Sequence, residues 1–430
     1  MASALAGIRV IDISTSASGA WCSRMLSGFG ADVVMLEGPA GHPMRHEAPL
    51  DSSGESIPGA YFLAGKRSAV FDLHADGAAG RLLALSEQSP VVVSSLRQHE
   101  WEALGLQPSQ LGQGNAVVVH ITPYGMTGER AALPGNELTV AALSGWAALN
   151  GESARAPLRP VAHQVAMCTG TLAAATVVGA VIERERSGGR GQEIDIAELD
   201  AMVSAGSPNV LRGQYTGRST PRRDGVDITT GPVPVADGHF ALTISRAHFW
   251  RDAMNVLGLD DLAEDPRWET SWYRQAHREE YAGRVSDAMR QWSKADLFEE
   301  LAARRVVAGP VLTMDELRTN RTPWRERGFW AEVATEWQTR RAVPDVGDPW
   351  DFLPRPRPNA ATGVPPNDRA ACGDARDRAH PGVGWFVLHR TACVHGRRHH
   401  PGGGAETPRF MARDLRRTAR RAASAGRNGP

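Results

Sequence analysis

Apolar positions along the first 200 residues alternate between two patterns. Ile8-Arg-Val-Ile-Asp-Ile13 is a short run rich in β-branched residues, the pattern of a strand covered on both faces. Residues 18–29 follow with helical spacing of Trp21, Met25, Leu26 and Phe29, and Gly30 stands where such a helix stops. Residues 33–36 predict the next strand. Three more are expected at 69–73, 91–93 and 116–121, with an amphipathic segment over 77–87 between two of them. A long apolar helix is expected over 171–186, ended by Ser187-Gly-Gly189. Strand and helix in such alternation predict a mostly parallel sheet with right-handed crossovers, whose ligands sit at the carboxyl ends of the strands. From about residue 225 to 330 the pattern changes to amphipathic segments, such as 279–292 and 296–304, which suggest a second, smaller domain.

Composition narrows the class. The chain has 430 residues, of which 42% are hydrophobic and 22% charged, as a globular protein requires. Its 48 basic and 48 acidic side chains balance, which argues against a surface built for nucleic acid or anionic membrane. No run approaches the roughly 20 unbroken apolar residues of a bilayer span. The opening MASALAGIRVIDIS lacks a basic n-region and is not expected to be a signal peptide. Four scattered cysteines (Cys22, Cys168, Cys372, Cys393) make no disulfide framework, so a cytoplasmic location is expected.

The charge balance conceals a break. Residues 351–430 hold 15 Arg, no Lys and 6 Asp or Glu, together with 9 Pro and 10 Gly. This stretch reads as disordered or non-native, in the manner of a GC-rich gene read out of frame. As a nucleic-acid arm it lacks interleaved aromatics for stacking. As a metal site, Cys393, His395, His399 and His400 lack a second ligand pair at zinc-finger spacing.

Generic catalytic motifs are missing. Gly28-Phe-Gly30 ends a helix before a strand, the wrong context for a phosphate cradle. There is no Walker loop, no Gly-x-Ser-x-Gly elbow and no His-Glu-x-x-His.

Several segments, in collinear order over roughly residues 5–352, resemble the family III CoA-transferases (the CaiB/BaiF type, which includes formyl-CoA transferases and α-methylacyl-CoA racemases). Leu5-Ala-Gly-Ile-Arg-Val-Ile-Asp12 resembles the opening strand of that family. Gly30-Ala-Asp-Val-Val-Met-Leu-Glu37 with Gly38-Pro-Ala-Gly-His-Pro-Met-Arg45 resembles its second strand and following loop. Gly65-Lys-Arg-Ser68 is similar to its Asn-Lys-Arg-Ser segment, and Thr122-Pro-Tyr-Gly-Met-Thr-Gly128 to its glycine-bearing loop. Residues 184–192, Ala236-Asp-Gly238 and Val307-Ala-Gly-Pro-Val311 extend the likeness into the later part of the chain.

The resemblance implies an α/β fold with a Rossmann-like large domain over 1–224 and a smaller α+β domain over 225–330. A segment over 331–352 would return to the large domain, leaving 353–430 as the tail. It further implies an interlocked homodimer, or a hetero-oligomer with a related subunit. Acyl-CoA and a carboxylic acid are the implied substrates, with no metal, nucleic acid or membrane partner. Arg45, Lys66, Arg67, Arg97, Tyr124 and Gly125 fall at positions near the CoA pocket, where cationic groups would pair with phosphates. Lys66 and Lys294 are the only lysines against 46 arginines, which singles out Lys66.

The same resemblance implies an aspartate nucleophile four residues before a glycine at the start of the long apolar helix. That glycine is Gly170, and four back is Ala166. Other departures run the same way: the family glutamine after the first strand falls on Ala17, Glu-Asn-Phe becomes Ser94-Ser-Leu96, and another glutamine becomes Ala141. The racemase histidine before an acidic residue becomes Asn136-Glu137. A methyl group neither attacks a thioester nor abstracts an α-proton. Residues 157–171 contain no Asp or Glu, leaving Cys168 as a weak nucleophile candidate and His163 as a base. Asp12, Glu37, Asp195 and Asp237 are expected to satisfy backbone groups. Two functions therefore stand: a CoA-transferase with altered chemistry, or a non-catalytic CoA-binding subunit of a hetero-oligomer.

Overall fold

The computed structural model describes residues 3–218, 222, 231–319 and 341–342, all within the unit Met1–His380. The expectations for 353–430 lie outside the described residues.

Six strands form the main sheet: β1 Arg9–Asp12, β2 Asp32–Glu37, β3 Arg67–Val70, β4 Val91–Ser94, β5 Val117–Thr122 and β6 Gln192–Ala197. All neighbours are parallel, in the order β3-β2-β1-β4-β5-β6, and Arg341–Ala342 adds a further parallel pairing beside β3. Parallel neighbours need crossovers, and helices supply them. α1 Ala17–Gly28 and α2 Ile57–Phe62 lie before β3. α3 Ala78–Glu87 and α4 Gln98–Ala103 flank β4. α5 Glu137–Leu143, α6 Trp146–Leu149 and α7 Gln164–Arg186 join β5 to β6, and α8 Glu198–Ala205 and α9 Ser207–Thr216 follow.

Both faces of the sheet are covered, which is why its central strands read as unbroken apolar runs. On one face Leu82 and Leu85 of α3 and Trp101 of α4 pack on Ile11, Val34, Val92 and Val118. On the other, Leu26 of α1 and Ala173 and Val177 of α7 pack on Val10, Val33, Val91, Val117 and Val119. α7 is long and apolar enough to cross a membrane, yet half of its most apolar window is buried against this sheet and α1.

A second sheet is antiparallel, β7 Val233–Val235, β8 Gly238–Thr243 and β9 Val307–Val311 in that order. Helices α10 Ala247–Val256, α11 Asp260–Glu264, α12 Ser271–Ala276, α13 Arg278–Met289 and α14 Lys294–Ala303 surround a core of Phe240, Trp250 and Tyr281. The α/β fold with a smaller α+β part is therefore present.

Within the first 200 residues, two elements begin two or more residues ahead of their expected starts. β3 begins at Arg67, because Arg67 and Ser68 are buried polar residues with partners inside the protein and so do not read as strand from hydropathy. α7 begins at Gln164, seven residues ahead of the apolar run, so Ala166 and Gly170 sit within its first two turns.

α1 and α7 cross at Gly170. A Cβ placed there would stand 2.5 Å from the Ser18 carbonyl oxygen and 2.9 Å from the Cys22 backbone nitrogen. The Trp21 indole donates to Thr171 Oγ1 at 2.9 Å beside the crossing. We expect Gly170→Ala to force the helices apart and lower stability by about 1–3 kcal/mol in urea denaturation. An unchanged midpoint would mean that the helices do not approach this closely.

Candidate functional site

The strand order reverses between β1 and β4, the place where open parallel sheets hold ligands. A cavity of about 550 Å3 opens there. Its walls come from the ends of successive strands: Thr15 to Ser18 after β1, Ser95 and Arg97 after β4, Pro123 after β5 and Glu198 after β6. The 133–138 loop, Glu47 and the first turn of α7 complete it.

Among the helix N-termini at this space are those of α1 and α7, and each concentrates partial positive charge. Ser16 caps α1 by accepting from the Gly19 N–H at 3.1 Å. The N-terminus of α7 has no such local cap. Ala162 and His163 enter it with φ of 33°, a left-handed conformation costly for residues with a Cβ. The cap comes instead from another helix. Glu137 Oε1 accepts from the Val165 N–H at 2.8 Å, and its Oε2 lies 3.3 Å from His163 Nδ1.

Glu137 is held for this task by its own helix start. Asn136 caps α5 by accepting from the Thr139 N–H at 3.0 Å, and Thr139 Oγ1 accepts from the Asn136 N–H at 2.9 Å. The far side of the His163 ring, Nε2, lies 3.3 Å from Glu47 Oε1, and Phe62 packs edge-on against the ring at 5.0 Å. The imidazole is thus fixed between two carboxylates. Glu198, buried at the start of α8, accepts a short hydrogen bond from the Ser18 hydroxyl. Burial pushes its carboxyl above the ordinary range, the Glu137 charge adds to this, and the Ser18 bond opposes it.

Of the positions singled out in the sequence, Ala17, Ser95, Arg97, Asn136, Glu137, His163 and Ala166 reach the cavity. Ala166 presents only a methyl group. Arg97 pairs with Glu100 at 3.1 Å and donates to the Ala132 carbonyl at 3.0 Å. The other cations turn inward. Arg45 forms a fork with Glu37, both contacts at 2.6 Å, and Arg67 does so with Asp32 at 2.9 and 2.7 Å. Lys66 is fully buried, donating to the Ala20 carbonyl at 2.7 Å with Asp12 Oδ2 at 3.4 Å. Lys66 is not on the cavity wall.

Tyr124 donates to Thr139 Oγ1 at 3.1 Å, behind the cavity wall. Gly125 has φ of 86°, and Asp195 accepts from the following Met126 N–H at 2.9 Å, so the loop is a glycine turn tied to β6. Ala141 is fully buried, away from the cavity. Cys168 packs among Val140, Val165 and Met202, and burial pushes its thiol up, which opposes thiolate formation. Asp12, Glu37, Asp195 and Asp237 each accept a backbone N–H, as expected.

The residues not foreseen as a group are Glu47, Glu137 and Glu198. Glu198 carried one readable signal, its place just past a strand at the ligand-binding edge. His163 and the Asn136-Glu137 pair are singled out in the sequence, but nothing local marks Glu47 or brings it to His163.

Because Lys66 lies in a pair without solvent, removing its charge strands Asp12. We expect Lys66→Met to cost about 3 kcal/mol or more in urea denaturation. A loss below about 1 kcal/mol, the range of exposed ion pairs, would place Lys66 at the surface instead.

Comparison with known proteins supplies the remaining constraint. The sequence profile of CoA-transferase family III matches residues 5–367. The succinate–glutarate CoA-transferase of Agrobacterium fabrum is 30% identical over 357 residues, 80% of this chain and 88% of that protein. The BbsE subunit of the succinyl-CoA:(R)-benzylsuccinate CoA-transferase of Thauera aromatica is 28% identical over 375 residues, 79% of this chain and 91% of that protein. A crystal structure of a CaiB/BaiF family protein from Brucella suis superimposes with a TM-score of 0.67 at 26% identity, covering 76% of this chain and 89% of that one. With most of its length matched, and a cavity at the edge where its fold binds ligands, this chain belongs to CoA-transferase family III.

Proposed function

We propose that this protein moves CoA between an acyl-CoA thioester and a carboxylic acid, with the acyl end held in the cavity beside Ala166. The observation that carries this reading is the placement of that cavity at the switch point, between the N-termini of α1 and α7. Carboxylates and the oxyanion of a thioester under attack are both stabilised by such helix ends. The relatives described above are named for CoA transfer between succinate and glutarate and from succinyl-CoA to (R)-benzylsuccinate, which favours a dicarboxylic acid as one substrate.

Ala166 favours a second reading, a CoA-binding subunit that depends on a related chain for the nucleophile. One relative is itself named as a subunit. Under either reading the substrates are acyl-CoA and a carboxylic acid, and no metal is called upon.

Calorimetry with CoA, combined with an exchange assay from succinyl-CoA to free dicarboxylates, separates the readings. Exchange by the isolated chain supports transfer. Tight CoA binding without exchange, converted by Ala166→Asp to an exchange rate on the order of a hundredfold above the unaltered protein, supports the silent subunit. No CoA binding contradicts both.

A further inference from the structure

The cavity lacks a carboxylate at position 166 but holds one beside it. Glu137 reaches across from α5 so that its Oε1 rests on the N–H of Val165, the residue adjoining Ala166 in the first turn of α7. Both Glu137 and Ala166 line the same cavity, and the small side chain at 166 leaves the intervening space open. The other carboxylates of the wall are placed differently. Glu198 is buried and holds the Ser18 hydroxyl, Glu100 pairs with Arg97, and Glu47 lies on the more exposed side of His163.

We propose that Glu137 is the nucleophile of this protein, taking the part that the aspartate position at Ala166 no longer plays. The proposal rests on the CoA-transfer reading above and names the group that performs it. Its geometry fits the task. A carboxylate held by a backbone N–H and an imidazole is oriented without being enclosed, and each oxygen keeps a lone pair for the acyl carbon. The left-handed backbone at Ala162 and His163 brings the imidazole to Glu137 Oε2, strain of the kind that collects at working sites. His163 is a positioning residue in this account.

The steps balance without a net proton. A Glu137 carboxylate oxygen attacks the thioester carbonyl, the C–S bond breaks, and CoA leaves as the thiolate with the electron pair. The resulting mixed anhydride is attacked by that thiolate at the Glu137 carbonyl carbon, which releases the first carboxylic acid as its anion and leaves a glutamyl-CoA thioester. The acceptor carboxylate then attacks the glutamyl carbonyl, expels the thiolate and forms a second anhydride. Attack of the thiolate on the acceptor acyl carbon yields the new acyl-CoA and restores the Glu137 carboxylate.

The test incubates the full chain with succinyl-CoA, reduces it with borohydride, which converts a glutamyl thioester to an alcohol, and maps the peptides by mass spectrometry. The proposal expects the reduced residue to be Glu137. Glu137→Gln keeps an oxygen for the Val165 N–H, so CoA affinity is expected to hold while exchange falls about a hundredfold or more. Adding Ala166→Asp to Glu137→Gln is expected to restore exchange with the adduct moved to residue 166. An adduct elsewhere in the unaltered chain, or exchange that survives Glu137→Gln, overturns the proposal while the transfer reading stands. CoA binding with neither adduct nor exchange overturns it in favour of the silent subunit. Absence of CoA binding overturns the transfer reading as well.

Discussion

The site depends on how closely α1 and α7 cross. At Gly170 the backbone of one helix lies against the backbone of the other, and no side chain fits between them. This contact fixes where both helices begin, and those beginnings form two walls of the cavity. α1 is itself tied to the sheet beneath it. Asp12 at the end of β1 accepts from Ser14 and from Ser23 of α1, while Lys66 joins Asp12 to the Ala20 carbonyl. A buried network of this kind is justified only when every member is partnered, and here these partners also hold the helix that carries Ser18 into the cavity.

Above that scaffold the site is an electrostatic arrangement rather than a catalytic motif. Four glutamates line the cavity with one imidazole, and two of them, Glu47 and Glu137, flank that imidazole among several helix starts. Glu137 takes the orphan Val165 N–H, and Glu198 lies deep enough for burial to push its carboxyl up. Carboxyl groups in one cavity are thus given different surroundings, and different surroundings allow different roles. Ala166 gives the cavity wall only a methyl group, and Glu137 reaches the N–H of the adjoining Val165.

How much of this was legible follows from where each signal resides. β1, β2, β4 and β5 were readable because helices cover both faces, which demands unbroken Val and Ile runs. The start of β3 was hidden because Arg67 and Ser68 satisfy their polarity inside the protein, against Asp32 and Glu37. The start of α7 was hidden for a related reason. Its cap is Glu137, 28 positions away in sequence, and no local rule finds a cap supplied by another helix. Lys66 and Arg67, placed near a CoA pocket by family resemblance, pair inside the protein with Asp12 and Asp32. Ala166 was identified by family resemblance, and the structure adds that it stands on the cavity wall.

The most direct measurement is a crystal structure of the protein with a non-hydrolysable thioether analogue of succinyl-CoA. The account predicts the acyl end between the N-termini of α1 and α7, against the Ala166 methyl group and within bonding reach of the Glu137 carboxylate. An acyl end bound anywhere outside that cavity would contradict it.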